Sequence, residues 1–101
     1  MPASLTSLEL AALTDVLLID VREPWEADIA SIPGSVLIPL SALEGAVDAL
    51  DSSRPIVVYC HLGVRSAYAR TMLVEHGIAA SHLDGGIEAW AKAMDPDMAR
   101  Y

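Results

Sequence analysis

Ile56-Val57-Val58-Tyr59-Cys60-His61-Leu62-Gly63-Val64-Arg65-Ser66 decides how this chain is read. A β-branched apolar run stops at the only cysteine in the protein, and a turn centred on Gly63 follows. A helix is then expected from near Ser66 to His76, closed by Gly77. Strand, tight turn and helix in that order aim backbone N–H groups and the positive end of a helix dipole at the residue ending the strand. Arg65 adds a positive charge to the same loop. An ordinary cysteine thiol, with a pKa of about 8.5, is only a few per cent ionised at neutral pH. A helix N-terminus beside an arginine lowers such a value by ~2 units. The loop therefore suits a thiolate, or an anion carried on sulfur. The competing reading, a small apolar residue closing a buried strand, leaves the following glycine and arginine unexplained.

Outward from the loop, apolar runs alternate with helix signals. Thr6-Ser7-Leu8-Glu9 has the form of a capping box, and Leu5, Leu8, Ala12 and Leu13 give a short helix its buried stripe. Val16-Leu17-Leu18-Ile19 is a continuous apolar run, as in a strand buried on both faces. Asp20-Val21-Arg22-Glu23-Pro24 ends it, and Pro24 opens a short helix through Ile29. Ile32-Pro33-Gly34-Ser35 is a turn, and Val36-Leu37-Ile38 a second short strand. Ser41-Ala42-Leu43-Glu44 resembles another capping box, opening a helix that ends near Leu50. A last strand is predicted from Ile78 to Leu83, a turn at Asp84-Gly85-Gly86, and a helix from Ile87 to Met94 with Ile87, Trp90 and Ala91 on one face. Trp25 and Trp90 read as core residues and Arg70 as solvated. Strands alternating with helices predict a parallel α/β sheet wrapped on both faces, with the site at the carboxyl ends of strands, where Cys60 falls.

A chain of 101 residues, 53% apolar, predicts one domain, with a core over about residues 5–94 and a polar tail at 95–101 expected to fray. The formal charge of −8 repels phosphate backbones and anionic lipid, so no nucleic acid or membrane partner is expected. A single cysteine forms no intramolecular disulfide and is best kept in a reducing compartment. No signal-peptide pattern opens the chain and no apolar run approaches the ~20 residues of a membrane-spanning helix, so a cytoplasmic location is expected. His61, His76 and His82 lack metal-ligand spacing, and no metal is expected.

Cys60-x-x-Gly63-x-Arg65-Ser66 resembles the active-site loop of the rhodanese family, sulfurtransferases of α/β fold. Leu18 to Glu26, Ile32-Pro33-Gly34-Ser35 and Leu83-Asp84-Gly85-Gly86-Ile87-Glu88-Ala89-Trp90 resemble further motifs of that family, in the family's order. The resemblance implies a rhodanese-like, five-stranded, mostly parallel sheet with helices on both faces. It also implies a two-step reaction that calls for no metal or organic cofactor. Cys60 takes a sulfane sulfur from thiosulfate, or from a protein or small-molecule persulfide, and becomes a persulfide. The terminal sulfur then passes to a thiophilic acceptor: cyanide, a thiol or a partner protein in a persulfide relay. Amides of the loop residues His61, Leu62, Gly63, Val64, Arg65 and Ser66 would point at the persulfide, with Arg65 ordering the loop and attracting an anionic donor. Asp20 and Arg22 would support the loop through hydrogen bonds or an ion pair, Arg22 alternatively facing the donor.

The sequence departs from the family pattern in two places. Ala30-Ser31 stands where many members carry Gly-His, and His61-Leu62 where a basic residue is frequent. With one cation fewer, the pocket would favour a protein persulfide over a small dianion. Two rivals stay open. One is a non-catalytic rhodanese-like module that binds or regulates partners, although such modules typically lose the cysteine. The other is a cysteine-based phosphatase or arsenate reductase, whose cradle is one residue longer than the four residues, His61 to Val64, found here.

Overall fold

All 101 residues are described by the structure, a computed structural model. Ile56–Tyr59, every residue of it buried, is the strand from which the sheet extends in both directions. In chain order the elements are β1 (Ser4–Leu5), α1 (Ser7–Ala11), β2 (Leu17–Asp20), α2 (Pro24–Ile29), β3 (Val36–Leu37) and α3 (Leu40–Ala46). A 3-10 turn at Val47–Ala49 follows, then β4 (Ile56–Tyr59), α4 (Val64–Glu75), β5 (Ser81–Leu83) and α5 (Gly86–Met94). The strands lie in the order β1-β5-β4-β2-β3, and every pairing is parallel. The sheet is thus wholly parallel. Parallel neighbours require crossovers, the crossover helices cover the faces, and central strands therefore read as unbroken apolar runs.

Successive side chains of a strand point to opposite faces. Ile56, Val58 and Cys60 accordingly join Ile19, Leu43, Ala69 and Leu73 in one core, beneath α3 and α4. Val57 and Tyr59 join Leu5, Leu10, Leu18, Leu83 and Ile87 in the other, beneath α1 and α5. That alternation sends Cys60 toward α4, whose first turn forms part of the loop. No helix is long and apolar enough to cross a membrane.

Several elements differ from the sequence expectation. β1 is only two residues long and was not anticipated; its pairing with β5 is too short to leave a periodic signal. Ser41 lies inside α3 and caps nothing, because the Leu40 amide already bonds the Val21 carbonyl at 3.0 Å and draws the chain into helix early. α4 starts at Val64, directly after Gly63 in the left-handed conformation, φ 108°. Ile78 lies past the end of α4 and is tied back to it, its amide bonding the Leu73 carbonyl, and β5 begins only at Ser81. Trp25 is 60% exposed instead of lying in the core. Arg70 is anchored through Nε to the Ala80 carbonyl at 2.9 Å and is only partly solvated. The tail after Met94 does not fray: Met98 packs on the second core and Tyr101 stacks on His61 of the loop after β4.

Candidate active site

The sulfur of Cys60 sits at the floor of the loop, the residue only 1% exposed. It accepts the backbone N–H groups of Gly63 at 3.1 Å and Ser66 at 3.3 Å, and the thiol meets Ser66 Oγ at 3.4 Å. These amides are available because the first N–H groups of a helix have no partner within it. The carbonyls on the other side of the loop are equally accounted for. Cys60 O accepts the Ile87 amide at 2.9 Å and His61 O accepts that of Glu88 at 3.2 Å. Two helix N-termini therefore meet here: that of α4 faces the sulfur, and that of α5 holds the loop's carbonyls away from it. The second contact requires glycine. Gly86 has φ 61°, and a Cβ there would stand 2.6 Å from Cys60 O and nearer still to the His61 carbonyl.

Arg65 leaves the loop and forms a two-pronged ion pair with Glu26 of α2, Nη1 to Oε2 at 2.7 Å and Nη2 to Oε1 at 2.8 Å. Glu26 is buried and also accepts the Glu23 amide at 2.8 Å. The hydrogen bonds from Arg65, opposed by burial and aided by Glu23 and Tyr101, bring the Glu26 pKa down to about 2 from an ordinary 4.5. The same pair holds the Arg65 guanidinium above its usual range. A carboxyl whose folded pKa lies below its unfolded value contributes stability that is complete above the unfolded value and fades as pH falls toward the folded one. Between pH 4.5 and about 2 the protein is therefore expected to lose about 2 kcal/mol at this site, reduced from the full shift because Arg65 is partly exposed. Urea unfolding of wild type and Glu26→Gln across that interval measures it. The variant should show the flatter pH dependence, and parallel curves would remove the assignment.

Asp20 and Arg22 lie at the carboxyl end of β2, both essentially buried. Arg22 donates to Asp20 through Nε at 2.9 Å and Nη2 at 2.8 Å, and to the Ala30 carbonyl at 2.7 Å. Burial alone would lower its pKa, but hydrogen bonds to Asp20 and Tyr101 outweigh that and hold it raised. The alternative in which Arg22 faces an incoming donor is corrected: its side chain is 0% exposed. The pair fastens the end of β2 to α2, the helix that presents Glu26, and so connects to Arg65 at one remove.

Residues 6–93 match the rhodanese-like domain family. The chain belongs to that family. A rhodanese-related protein from Thermoplasma volcanium superposes with a TM-score of 0.85 at 31% identity, over 92% of this chain and 94% of that one. The probable adenylyltransferase/sulfurtransferase MoeZ of Mycobacterium tuberculosis is 48% identical over 87 residues, which make up 83% of this chain and 22% of MoeZ. A sulfurtransferase of Allochromatium vinosum is 36% identical over 87 residues, covering 85% of this chain and 81% of that protein. The chain thus spans less than a quarter of MoeZ and most of the shorter relative.

This rhodanese-like domain carries contacts that the sequence did not suggest. The Tyr101 hydroxyl accepts from Arg22 Nη1 and donates to Glu26 Oε1, both at 2.9 Å. Its ring stacks on His61, centroids 4.0 Å apart and planes 15° from parallel, and meets Trp25 edge-on. Arg100 pairs with Glu88 of α5. The tail so walls one side of the loop, while Leu62 and Val64 stand exposed on its rim. Glu26 falls within the quoted Leu18-to-Glu26 motif, but nothing in the sequence pairs it with Arg65. Tyr101 ends a polar stretch without periodicity and gave no signal. On β5, His82 turns toward α4 and places Nδ1 3.1 Å from Ser66 Oγ. Strand alternation across Ser81-His82-Leu83 is the available clue, whereas histidine spacing speaks only to metal binding.

Proposed function

We propose that this domain is a sulfurtransferase that carries a sulfane sulfur as a persulfide on Cys60. The observation that carries the proposal is the convergence of the Gly63 and Ser66 amides on Sγ. Fixed donors of this kind stabilise negative charge on sulfur without reorganising during the reaction. In the first step the Cys60 thiolate attacks the sulfane sulfur of a donor, forming Cys60–S–S⁻ as the rest of the donor leaves with the bonding electrons. In the second, a thiophilic acceptor attacks the terminal sulfur and the Cys60 thiolate is released. The family membership and the sulfurtransferase names of its relatives support the same chemistry. So does the short loop, with four residues between Cys60 and Arg65, which suits one sulfur atom better than a phosphoryl group.

Donor choice follows from where the loop's charge goes. The Arg65 guanidinium is occupied by Glu26, so a small dianion gains less from it than from a free arginine. The rim offers Leu62, 60% exposed, and Val64, 80% exposed. A persulfide borne on a protein or an organic thiol fits such a mouth better than thiosulfate, and a thiol or partner protein fits it as acceptor. The unit is read as one domain, working in a reducing compartment that keeps its lone thiol available.

Intact mass after incubation with an organic persulfide, and separately with thiosulfate, tests both statements. Wild type should gain one sulfur, more readily from the organic persulfide, and Cys60→Ser should gain none. Absence of any gain with either donor refutes sulfur transfer. Turnover of para-nitrophenyl phosphate would favour the phosphatase alternative, and none is expected.

A further inference from the structure

From Cys60 a continuous line of polar groups runs through Ser66 Oγ to His82, and the transfer chemistry described above uses neither that hydroxyl nor that imidazole. The thiol meets Ser66 Oγ at 3.4 Å, and the same oxygen lies 3.1 Å from His82 Nδ1. Each member comes from a different element: the end of β4, the first turn of α4, and β5. The hydroxyl is buried, and the imidazole is half-buried beside the loop, its Cε1 3.9 Å from the position a Cβ on Gly63 would take. A serine hydroxyl both accepts and donates, so it can pass a proton between a thiol on one side and an imidazole nitrogen on the other.

We infer that His82 is the proton acceptor for the Cys60 thiol, acting through the Ser66 hydroxyl. This rests on the reading of Cys60 as the sulfur carrier and adds how its nucleophile is generated. The S–H bond of Cys60 breaks as an O–H bond forms at Ser66. The hydroxyl's original proton moves to His82 Nδ1, and the electron pair stays on Sγ. A thiol and a neutral imidazole become a thiolate and an imidazolium, with no other reactant consumed. Ser66 then points its O–H at the thiolate, alongside the two amides already directed there. His82 touches no reacting atom and is therefore a positioning residue.

Burial and the nearby Arg70 on α4 lower the proton affinity of His82 and keep it neutral before transfer, while Asp84, just past β5, is the group that favours the imidazolium once formed. The His82 backbone amide donates to the Ala3 carbonyl, just before β1, and its register partners are Ser4 of β1 and the apolar Val58 of β4. Cys60 is the titratable group across the serine.

Iodoacetamide alkylation of Cys60, followed from about pH 5.5 to 8, reads the thiolate directly and does not depend on any sulfur donor. Wild type should show two inflections, one set by each end of the relay. His82→Asn keeps a hydrogen-bonding group beside Ser66 but cannot take up a proton. It should show one inflection, displaced upward by about one pH unit, a tenfold loss of alkylation rate at the acid end. Ser66→Ala should give the same displacement, and the double variant should add nothing to it. Thermal melts of the variants establish that the comparison is between folded proteins. A His82→Asn profile that superimposes on wild type, with the fold intact, overturns the inference. Failure of wild type to take up sulfur would overturn the transfer reading and leave the alkylation result standing on its own.

Discussion

Gly86→Ala is expected to cost about 3 kcal/mol or more and to abolish sulfur loading on Cys60. The left-handed backbone at Gly86 already penalises any other residue by about 1–2 kcal/mol. The larger effect is steric. The added methyl would overlap the carbonyls of Cys60 and His61, and both are backbone groups that cannot turn aside as a flexible side chain would. Relieving the overlap means separating α5 from the loop, which breaks the bonds from the Ile87 and Glu88 amides. The loop then loses the partners of its outward carbonyls, and the inward amides lose their aim. Urea unfolding gives the stability change, and intact mass after donor treatment gives the loading. An alanine variant with wild-type stability would show that the close approach of α5 to the loop is not required.

Arg22→Met should be nearly as damaging, for an electrostatic reason. Removing one partner of a buried ion pair strands the other, at a cost of about 3–5 kcal/mol. Asp20 is 1% exposed and would keep only the Arg22 backbone amide, at 3.0 Å, of its present donors. The Ala30 carbonyl and the Tyr101 hydroxyl would lose a donor as well. In a domain of this size such a loss lowers the melting temperature by about 12 °C or more. The double variant Asp20→Asn/Arg22→Met should recover much of the loss, because it removes the stranded charge along with the arginine. If the single and double variants melt together, the charge was not the cause. Differential scanning calorimetry at neutral pH separates the two outcomes.

The contrast between what could and could not be read from the chain is physical. The strand Ile56–Tyr59, the proline-led helix Pro24–Ile29 and the Thr6–Glu9 capping box follow from local pattern, and the structure contains all three. The loop from Cys60 to Ser66 was likewise legible, since strand, turn and helix follow one another without interruption. Pairings across the chain were not. Glu26 meets Arg65, and Tyr101 meets Arg22, Glu26 and His61, because the parallel sheet brings distant segments to one edge. No spacing encodes such meetings. Ser41 misled for the opposite reason: its local capping pattern was sound, but a hydrogen bond between Leu40 and Val21 had already started the helix. Trp25 reads as a core residue because tryptophans more often fill cores than bind ligands, yet it follows Pro24 on the exposed side of a six-residue helix.

The bonds from α5 to the Cys60 and His61 carbonyls also set an order of events during synthesis. Domains fold as units once enough chain is available. Here the first strand pairs only with the last, and the loop is completed only by the helix that follows that strand. Cys60 leaves the ribosome well before Gly86 does, so the nascent chain displays the cysteine without the groups that direct its amides. The loop around Cys60 is therefore completed only after α5 has been made. A chain truncated before α5 would thus carry Cys60 in a loop whose outward carbonyls lack their partners.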